Sequence, residues 1–202
     1  MYTFMTDTRA DLQGVSTQEQ VRRFLRRFGL SILFAGLTGI CAQVRFYFPF
    51  TPVPVTGQVF AVLLSGVFLG RKYGPLSQGL YLLLGISGVP WFVVGPIGPT
   101  GGYIVGFIVA PYLIAVLMER MVETKQLGNA HATRTTPSLS YFQNLGIMCA
   151  GVGVIYLLGL VQFSIFTHTP LYSAVRYSVL PFIPFDLGKA MLAAVALRFL
   201  YR

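Results

Sequence analysis

Residues 141–166 read YFQNLGIMCAGVGVIYLLGLVQFSIF, a run of 26 residues without a charged side chain. A helix needs about 20 apolar residues to cross the hydrocarbon core of a bilayer. The whole chain shares this character, because 54% of its 202 residues are hydrophobic and 10% are charged, against roughly 25% charged residues in soluble domains. Its mean hydropathy is +0.68. The sequence therefore predicts a multi-spanning α-helical membrane protein rather than a soluble one.

Similar apolar runs lie on both sides of this stretch. Together they predict an all-α integral membrane protein, built as a bundle of six transmembrane helices with Pro/Gly-rich outer loops. The second run and the last run are short for a span, so one of them could be tilted or re-entrant. The predicted spans are 29–48, 55–70, 75–94, 102–118, 141–166 and 182–200.

Polar stretches divide the chain into a cytoplasmic N-terminal segment at 1–28 and a transmembrane domain at 29–202, with a cytoplasmic linker at about 119–140. Four arginines within residues 22–27 precede the first apolar run, as they would in a signal peptide. Because further long apolar runs follow, we expect the first run to be a retained span.

The net charge of +9 is distributed unevenly along the chain. If the connections alternate from a cytoplasmic N-terminus, 12 of the 15 Lys and Arg residues fall on the cytoplasmic side. This bias predicts that both termini are cytoplasmic, which requires an even number of spans. The basic residues form short clusters beside apolar runs rather than the solvated basic face of a nucleic-acid-binding protein. We therefore expect no nucleic-acid partner.

Cysteine and histidine residues indicate neither a disulfide framework nor a metal site. Cys41 and Cys149 each lie within an apolar run, and His131 and His168 stand apart from one another. Buried cysteines of this kind behave as small hydrophobic residues, and a zinc site needs clustered ligands.

The predicted outer connections contain many prolines and glycines and few charges. Residues 50–55 read FTPVPV, and residues 95–103 read GPIGPTGGY. Proline fixes φ and restricts the residue before it to extended conformations. We expect stiff, apolar loops that cover part of the helix bundle.

Asp186 is the only acidic residue predicted to lie on the outer side or in the membrane, and Lys189 follows three positions later. On a helix the two side chains share a face. Charged residues within spans usually face a cavity or a partner. Two interpretations remain open: a polar anchor in which Lys189 meets a ligand carboxylate, or a helix cap with a structural ion pair.

Residues 98–102 read GPTGG and admit two interpretations as well. Their backbone N–H groups could approach a ligand closely, or they form a tight turn in which Thr100 caps the next helix. Trp91, Phe92 and Tyr103 flank this loop, either as an interfacial belt or as stacking walls for a flat apolar ligand. No nucleotide-binding signature is present, so uphill transport would need an ATPase partner or an ion gradient.

Small residues recur at helical spacing in two of the predicted spans. Helices that carry such stripes can approach one another closely. Packing within the chain is the default interpretation, and docking of a second membrane subunit is the alternative. The two stripes are Ser31, Ala35 and Gly39, and Gly102, Gly106 and Ala110.

Four stretches of the chain together resemble the BioY family, whose members are biotin-specific substrate-binding subunits of energy-coupling-factor transporters. Residues 50–58 read FTPVPVTGQ, residues 98–103 read GPTGGY, and residues 181–190 read PFIPFDLGKA. Residues 34–43, FAGLTGICAQ, also fit the end of the family's first span. The matching stretches occur in the family's order.

The resemblance implies a six-helix bundle in a prokaryotic plasma membrane, with an outward-facing biotin site under the outer loops. It implies that Ala35 and Gly39 contact a coupling transmembrane protein that works with two ATPases. The residues expected to bind substrate are Asp186, Lys189, Thr100, Gly101, Gly102, Tyr103, Trp91 and Gln58. Two departures concern the site: the 91–97 connection is shorter than in many members, and Ile104 stands where some members have arginine.

We therefore expect a high-affinity biotin-binding membrane subunit, surrounded by membrane lipid, which needs no cofactor and is not an enzyme. An intramembrane aspartyl protease would need two membrane carboxylates, and Asp186 stands alone. A serine enzyme would need a base, and His168 has no clear partner. A stand-alone facilitator of biotin or another small solute, without ATPase partners, is the remaining alternative, although permeation paths usually place polar residues on several spans.

Overall fold

The computed structural model describes residues 16–91, 98–128 and 139–200. These residues form six helices and one pair of short strands. Helix α2 packs against α1 and α3, α3 packs against α4, and α4 packs against α5 and α6. The elements are α1 Thr17–Gln43, β1 Arg45–Phe46, β2 Val55–Thr56, α2 Gln58–Ile86, α3 Gly101–Gly128, α4 Tyr141–Thr167, α5 Leu171–Ser178 and α6 Ile183–Leu200.

Four of the described helices, α1 to α4, are long and apolar enough to cross a membrane. Helices α5 and α6 meet at an angle of 57° and qualify as a fifth crossing if they are taken together. The prediction of an all-α, multi-spanning membrane protein is confirmed. Length and composition alone thus give four or five crossings in the described chain, compared with the six expected from the apolar runs.

The chain reverses direction inside α2. Gly70 has φ 74° and ψ −170°, which is a conformation that glycine adopts far more readily than other residues. Gln58 Nε2 lies 2.7 Å from the hydroxyl of Tyr81, although 23 residues of unbroken helix would separate them by roughly 34 Å. A Cβ on Gly74 would lie 3.1 Å from the carbonyl oxygen of Ser65. Helix α2 is therefore a hairpin of two antiparallel halves, which overlap the second and third apolar runs.

Two helices extend beyond the limits expected from hydropathy. Helix α1 begins at Thr17, capped by the Ser16 side chain, which accepts from Glu19 N, so the second half of the predicted polar segment 1–28 is helical. Helix α3 continues to Gly128, through the first half of the predicted linker. Both extensions carry charged residues, which stabilise a helix in water but are not counted by an apolar criterion. The rest of the linker, 129–138, lies outside the described residues.

The small-residue stripes pack within the chain. Ala35 is fully buried, and a Cβ on Gly39 would overlap the indole of Trp91. On α3, a Cβ on Gly106 would lie 2.8 Å from the Cα of Ile155 on α4. The structure thus supports the interpretation that these stripes pack within the chain. Ala35 and Gly39, which were expected to contact a coupling protein, lie against other parts of this chain.

The outer connection between α1 and α2 folds back as a short antiparallel ribbon, an element that the sequence did not predict. Arg45 pairs with Thr56, and Phe46 pairs with Val55. The N–H of Gly57 donates to the carbonyl oxygens of Cys41 and Val44 at distances of 3.1 and 3.0 Å. These bonds hold the proline-containing loop against the end of the bundle, and two residues of the loop, Thr51 and Val53, are buried.

Candidate functional site

A cavity opens under this loop, between α2, α3, α4 and α6. Its empty space is about 680 Å³ when counted out to the open mouth. Its lining consists of Val53, Pro54, Val55, Thr56, Gln58, Val59, Tyr81, Trp91, Thr100, Tyr103, Ile104, Phe107, Ile155, Tyr156, Phe182, Asp186 and Lys189.

Asp186 and Lys189 form a buried ion pair in the first turns of α6. Lys189 Nζ lies 2.5 Å from Asp186 Oδ1, and the two side chains are 16% and 6% exposed, respectively. The hydroxyl of Tyr156 on α4 donates to Asp186 Oδ2 over 2.7 Å. Both carboxylate oxygens thus have a donor, which a buried carboxylate needs if it is to stay charged away from water. An ammonium group has three N–H donors, so Lys189 can bind a second acceptor while it holds Asp186.

A second polar group lies on the α2 hairpin. Gln58 Nε2 donates to the hydroxyl of Tyr81 over 2.7 Å, and Gln58 Oε1 accepts from the hydroxyl of Thr56 over 2.7 Å. These two bonds hold the amide plane of Gln58 in place on the hairpin. The ring of Tyr81 stacks on Trp91 with centroids 5.9 Å apart and planes 7° apart. The hairpin thereby presents an oriented amide beside a flat aromatic wall.

The turn before α3 contributes unequally to the cavity. Thr100 and Tyr103 line it, and the hydroxyl of Tyr103 donates to the carbonyl oxygen of Ser178, which ties α3 to the end of α5. Gly101 begins α3 but is not part of the lining. Gly102 faces α4, since a Cβ there would lie 2.7 Å from the Cβ of Gln162.

The structure thus brings six of the eight predicted substrate-binding residues to one cavity. They are Gln58, Trp91, Thr100, Tyr103, Asp186 and Lys189. Two tyrosines that line the cavity, Tyr81 and Tyr156, were not predicted from the sequence. A tyrosine inside an apolar run signals that its hydroxyl needs a partner, but that signal does not identify the partner. The expectation about the shortened loop concerns residues 91–97, of which 92–97 lie outside the described part of the chain.

A sequence model of the BioY family matches residues 10–202. The chain belongs to the BioY family. It is 37% identical to the biotin transporter BioY of Thermotoga maritima over 157 residues, which cover 74% of this chain and 82% of that protein. It is 33% identical to a probable biotin transporter BioY of Pyrococcus horikoshii, over 84% of this chain and 93% of that one.

The fold of this BioY family member also matches a solved structure. It is similar to the crystal structure of the S-component for biotin from an ECF-type ABC transporter, with a TM-score of 0.76 and 27% sequence identity. The match covers 93% of this chain and 94% of the other. The helical architecture described above is therefore that of an S-component.

Proposed function

We propose that this chain is a biotin-binding membrane subunit that mediates biotin uptake. It is a transport protein and not an enzyme. The observation that carries the proposal is the cavity itself, where a buried Asp186–Lys189 pair and an oriented Gln58 amide lie among apolar and aromatic walls. Relatives that are 37% and 31% identical to this chain are biotin transporters. A few placed polar groups in a mostly apolar cavity are typical of small-molecule sites.

Biotin fits this chemistry group by group. Its carboxylate accepts from the remaining donors of Lys189, which Asp186 holds in place, and its ureido ring exchanges hydrogen bonds with polar groups of the α2 hairpin such as Gln58. Its apolar bicyclic body packs against the stacked rings of Tyr81 and Trp91. Gly101 and Gly102 belong to the same proposal, because they lie next to Thr100 and Tyr103, which line the cavity. The N–H of Gly101 donates to the carbonyl oxygen of Gly98, so the ligand contact proposed here is the N–H of Gly102.

A calorimetric titration of the detergent-purified chain tests this assignment. We expect sub-micromolar binding of biotin and a loss of about 10-fold or more for biotin methyl ester, because a hydrogen bond to a charged group contributes about 1.5–3 kcal/mol. Biotin binding weaker than micromolar would overturn the biotin assignment. Equal affinity for the ester would overturn only the contact between the carboxylate and Lys189.

The proposal includes the orientation in the membrane. Counting the two halves of the α2 hairpin separately and the bent pair α5–α6 as one span gives six crossings, which leave both termini on one side. Because basic residues are enriched on the cytoplasmic side of membrane proteins, the basic end of α1 faces the cytoplasm of a prokaryotic cell. The cavity, at the other end of the bundle, then opens outward. A cysteine introduced at Thr169, near the cavity end, should react with an impermeant maleimide on intact cells, whereas one introduced at Thr124 should not.

The energy source would be a separate module of one coupling transmembrane protein and two ATPases, because the chain has no nucleotide-binding signature and resembles an S-component of an ECF-type ABC transporter. Affinity capture of the tagged chain from its native membrane should recover ATPase subunits. Uptake of biotin by cells that contain this chain but lack such ATPases would favour a stand-alone transporter instead.

A further inference from the structure

The end of the bundle away from the cavity carries six basic side chains on two elements. Arg22, Arg23, Arg26 and Arg27 lie on the first turns of α1, and Arg71 and Lys72 lie where the α2 hairpin reverses. We call these six residues the basic rim. All except Arg27 are exposed. Glu19 pairs with Arg23 and Glu119 pairs with Arg71, so six basic side chains lie together with these two carboxylates at this end of the bundle.

One buried tyrosine joins the two parts of the basic rim. The guanidinium carbon of Arg27 and the ammonium of Lys72 each lie 5.7 Å from the ring centroid of Tyr73. The hydroxyl of Ser31 donates to the carbonyl oxygens of both Arg27 and Tyr73, over 3.1 and 3.2 Å. A cation from α1 and a cation from the hairpin thus both lie against the ring of Tyr73.

The basic rim continues directly into a surface suited to lipid. Phe24 and Leu25 lie between its arginines and are 50% and 60% exposed, and Leu33, two turns further along α1, is 63% exposed. Only 22% of the most apolar window of α1 is buried, against 61% for α2 and for α3. Arginines interleaved with exposed apolar side chains at the end of a span are typical of the boundary between headgroups and acyl chains.

We propose that the basic rim is a binding surface for anionic phospholipid, with the phosphate held between α1 and the hairpin and the acyl chains along the exposed face of α1. The planar guanidinium groups of Arg22, Arg26 and Arg27 match phosphate oxygens in paired hydrogen bonds. A soluble acidic protein would satisfy the charges but would leave the exposed Phe24 and Leu25 without an apolar partner. The surface does not depend on the identity of the transported molecule.

Native mass spectrometry of the detergent-purified chain, titrated with phosphatidylglycerol or phosphatidylcholine, tests the proposal. We expect preferential retention of phosphatidylglycerol. Because a juxtamembrane Lys or Arg contributes about five-fold in affinity, the double variant Arg27→Gln/Lys72→Gln should bind it about 25-fold more weakly. The charge-matched control Arg45→Gln/Arg176→Gln, at the cavity end, should change binding less than two-fold.

Charge-retaining Arg27→Lys/Lys72→Arg should restore most of the affinity, which separates loss of charge from loss of fold. Equal retention of the two lipids, or an equal loss in the control variant, would overturn the proposal. If glycerol phosphate alone competes as well as the lipid, the surface binds free phosphate and the lipid assignment is wrong. Tighter binding of an acidic polyglutamate peptide than of phosphatidylglycerol would assign the surface to a protein partner.

Discussion

At the cavity end of the bundle, Lys189 and Asp186 pair through side chains that are 16% and 6% exposed; at the opposite end, Arg23 and Glu19 pair through side chains that are 49% and 57% exposed. Each pair lies within one helix. Asp186 and Lys189 are three residues apart on α6, and Glu19 and Arg23 are four residues apart on α1. The first is 2.5 Å long and has a third member, Tyr156, whereas the second is 3.7 Å long and open to solvent.

The difference shows why similar charges have different roles at the two ends. Water screens the exposed pair, which therefore contributes little to stability, and its charges remain available to headgroups. Burial leaves Asp186 and Lys189 dependent on each other and on Tyr156, because removal of one partner leaves a mostly buried charge uncompensated. The same dependence makes the buried pair suitable for recognising a polar ligand. Four substitutions test this contrast, from the largest expected effect to the smallest.

Asp186→Asn should have the largest effect. It removes the charge that balances Lys189 while it keeps an oxygen that can accept from Tyr156. We expect biotin affinity to fall by about 100-fold, since truncating one partner of a buried charge pair costs about 2–5 kcal/mol. Calorimetry measures the loss, and Glu19→Gln is the matched control at the exposed end. A decrease of less than three-fold would mean that the buried pair is structural only.

Gly106→Ala tests the packing that closes the cavity between α3 and α4. The new methyl group would lie 2.8 Å from the Cα of Ile155, so backbone must move, and we expect the free energy of unfolding to fall by about 1–3 kcal/mol. Gly153→Ala on α4 is the control, because nothing lies within 4 Å of its Cβ position, and alanine favours a helix by about 0.5–1 kcal/mol over glycine. Denaturation in one detergent compares the two. Similar results for both would contradict the close approach of α3 and α4.

How far the sequence predicts these features depends on how local they are. The i,i+3 spacing of Asp186 and Lys189 is local, and so their pairing could be predicted. The break between the predicted spans 55–70 and 75–94 is local as well, and Arg71 and Lys72 lie in it, next to Gly70, where the α2 hairpin reverses. By contrast, the bond from Tyr156 to Asp186 joins residues 30 positions apart, and hydropathy contains no information about such a contact.

Helix phase explains a second limit. Gly102 and Tyr103 are neighbours in one motif, yet Gly102 meets α4 and Tyr103 faces the cavity. Successive residues on a helix point about 100° apart, so a motif that reaches the site need not place every member in it. The small-residue face of α1 illustrates the same limit, since its spacing predicts close packing but does not tell whether the neighbour belongs to this chain.

Tyr156→Phe should weaken the buried network without removing a charge. Asp186 Oδ2 loses its hydroxyl donor, and a hydrogen bond to a charged group contributes about 1.5–3 kcal/mol, so we expect biotin affinity to fall by about 10-fold. Tyr172→Phe is the matched control, since Tyr172 is 78% exposed. A loss equal to that of Asp186→Asn would indicate that the hydroxyl also contacts the ligand. Unchanged affinity would show that Lys189 alone positions the carboxylate.

Arg23→Gln should have the smallest effect on the folded chain. Its pair with Glu19 is half exposed and 3.7 Å long, and exposed i,i+4 pairs contribute about 0.3–0.5 kcal/mol. We therefore expect the free energy of unfolding to fall by less than about 0.5 kcal/mol and biotin affinity to stay the same. Raising the salt concentration should abolish even this small difference, because exposed charges are screened. A larger loss that persists in high salt would show that this end of α1 is more buried in the membrane-bound protein than its exposure indicates, and the contrast between the two ends would then be one of degree.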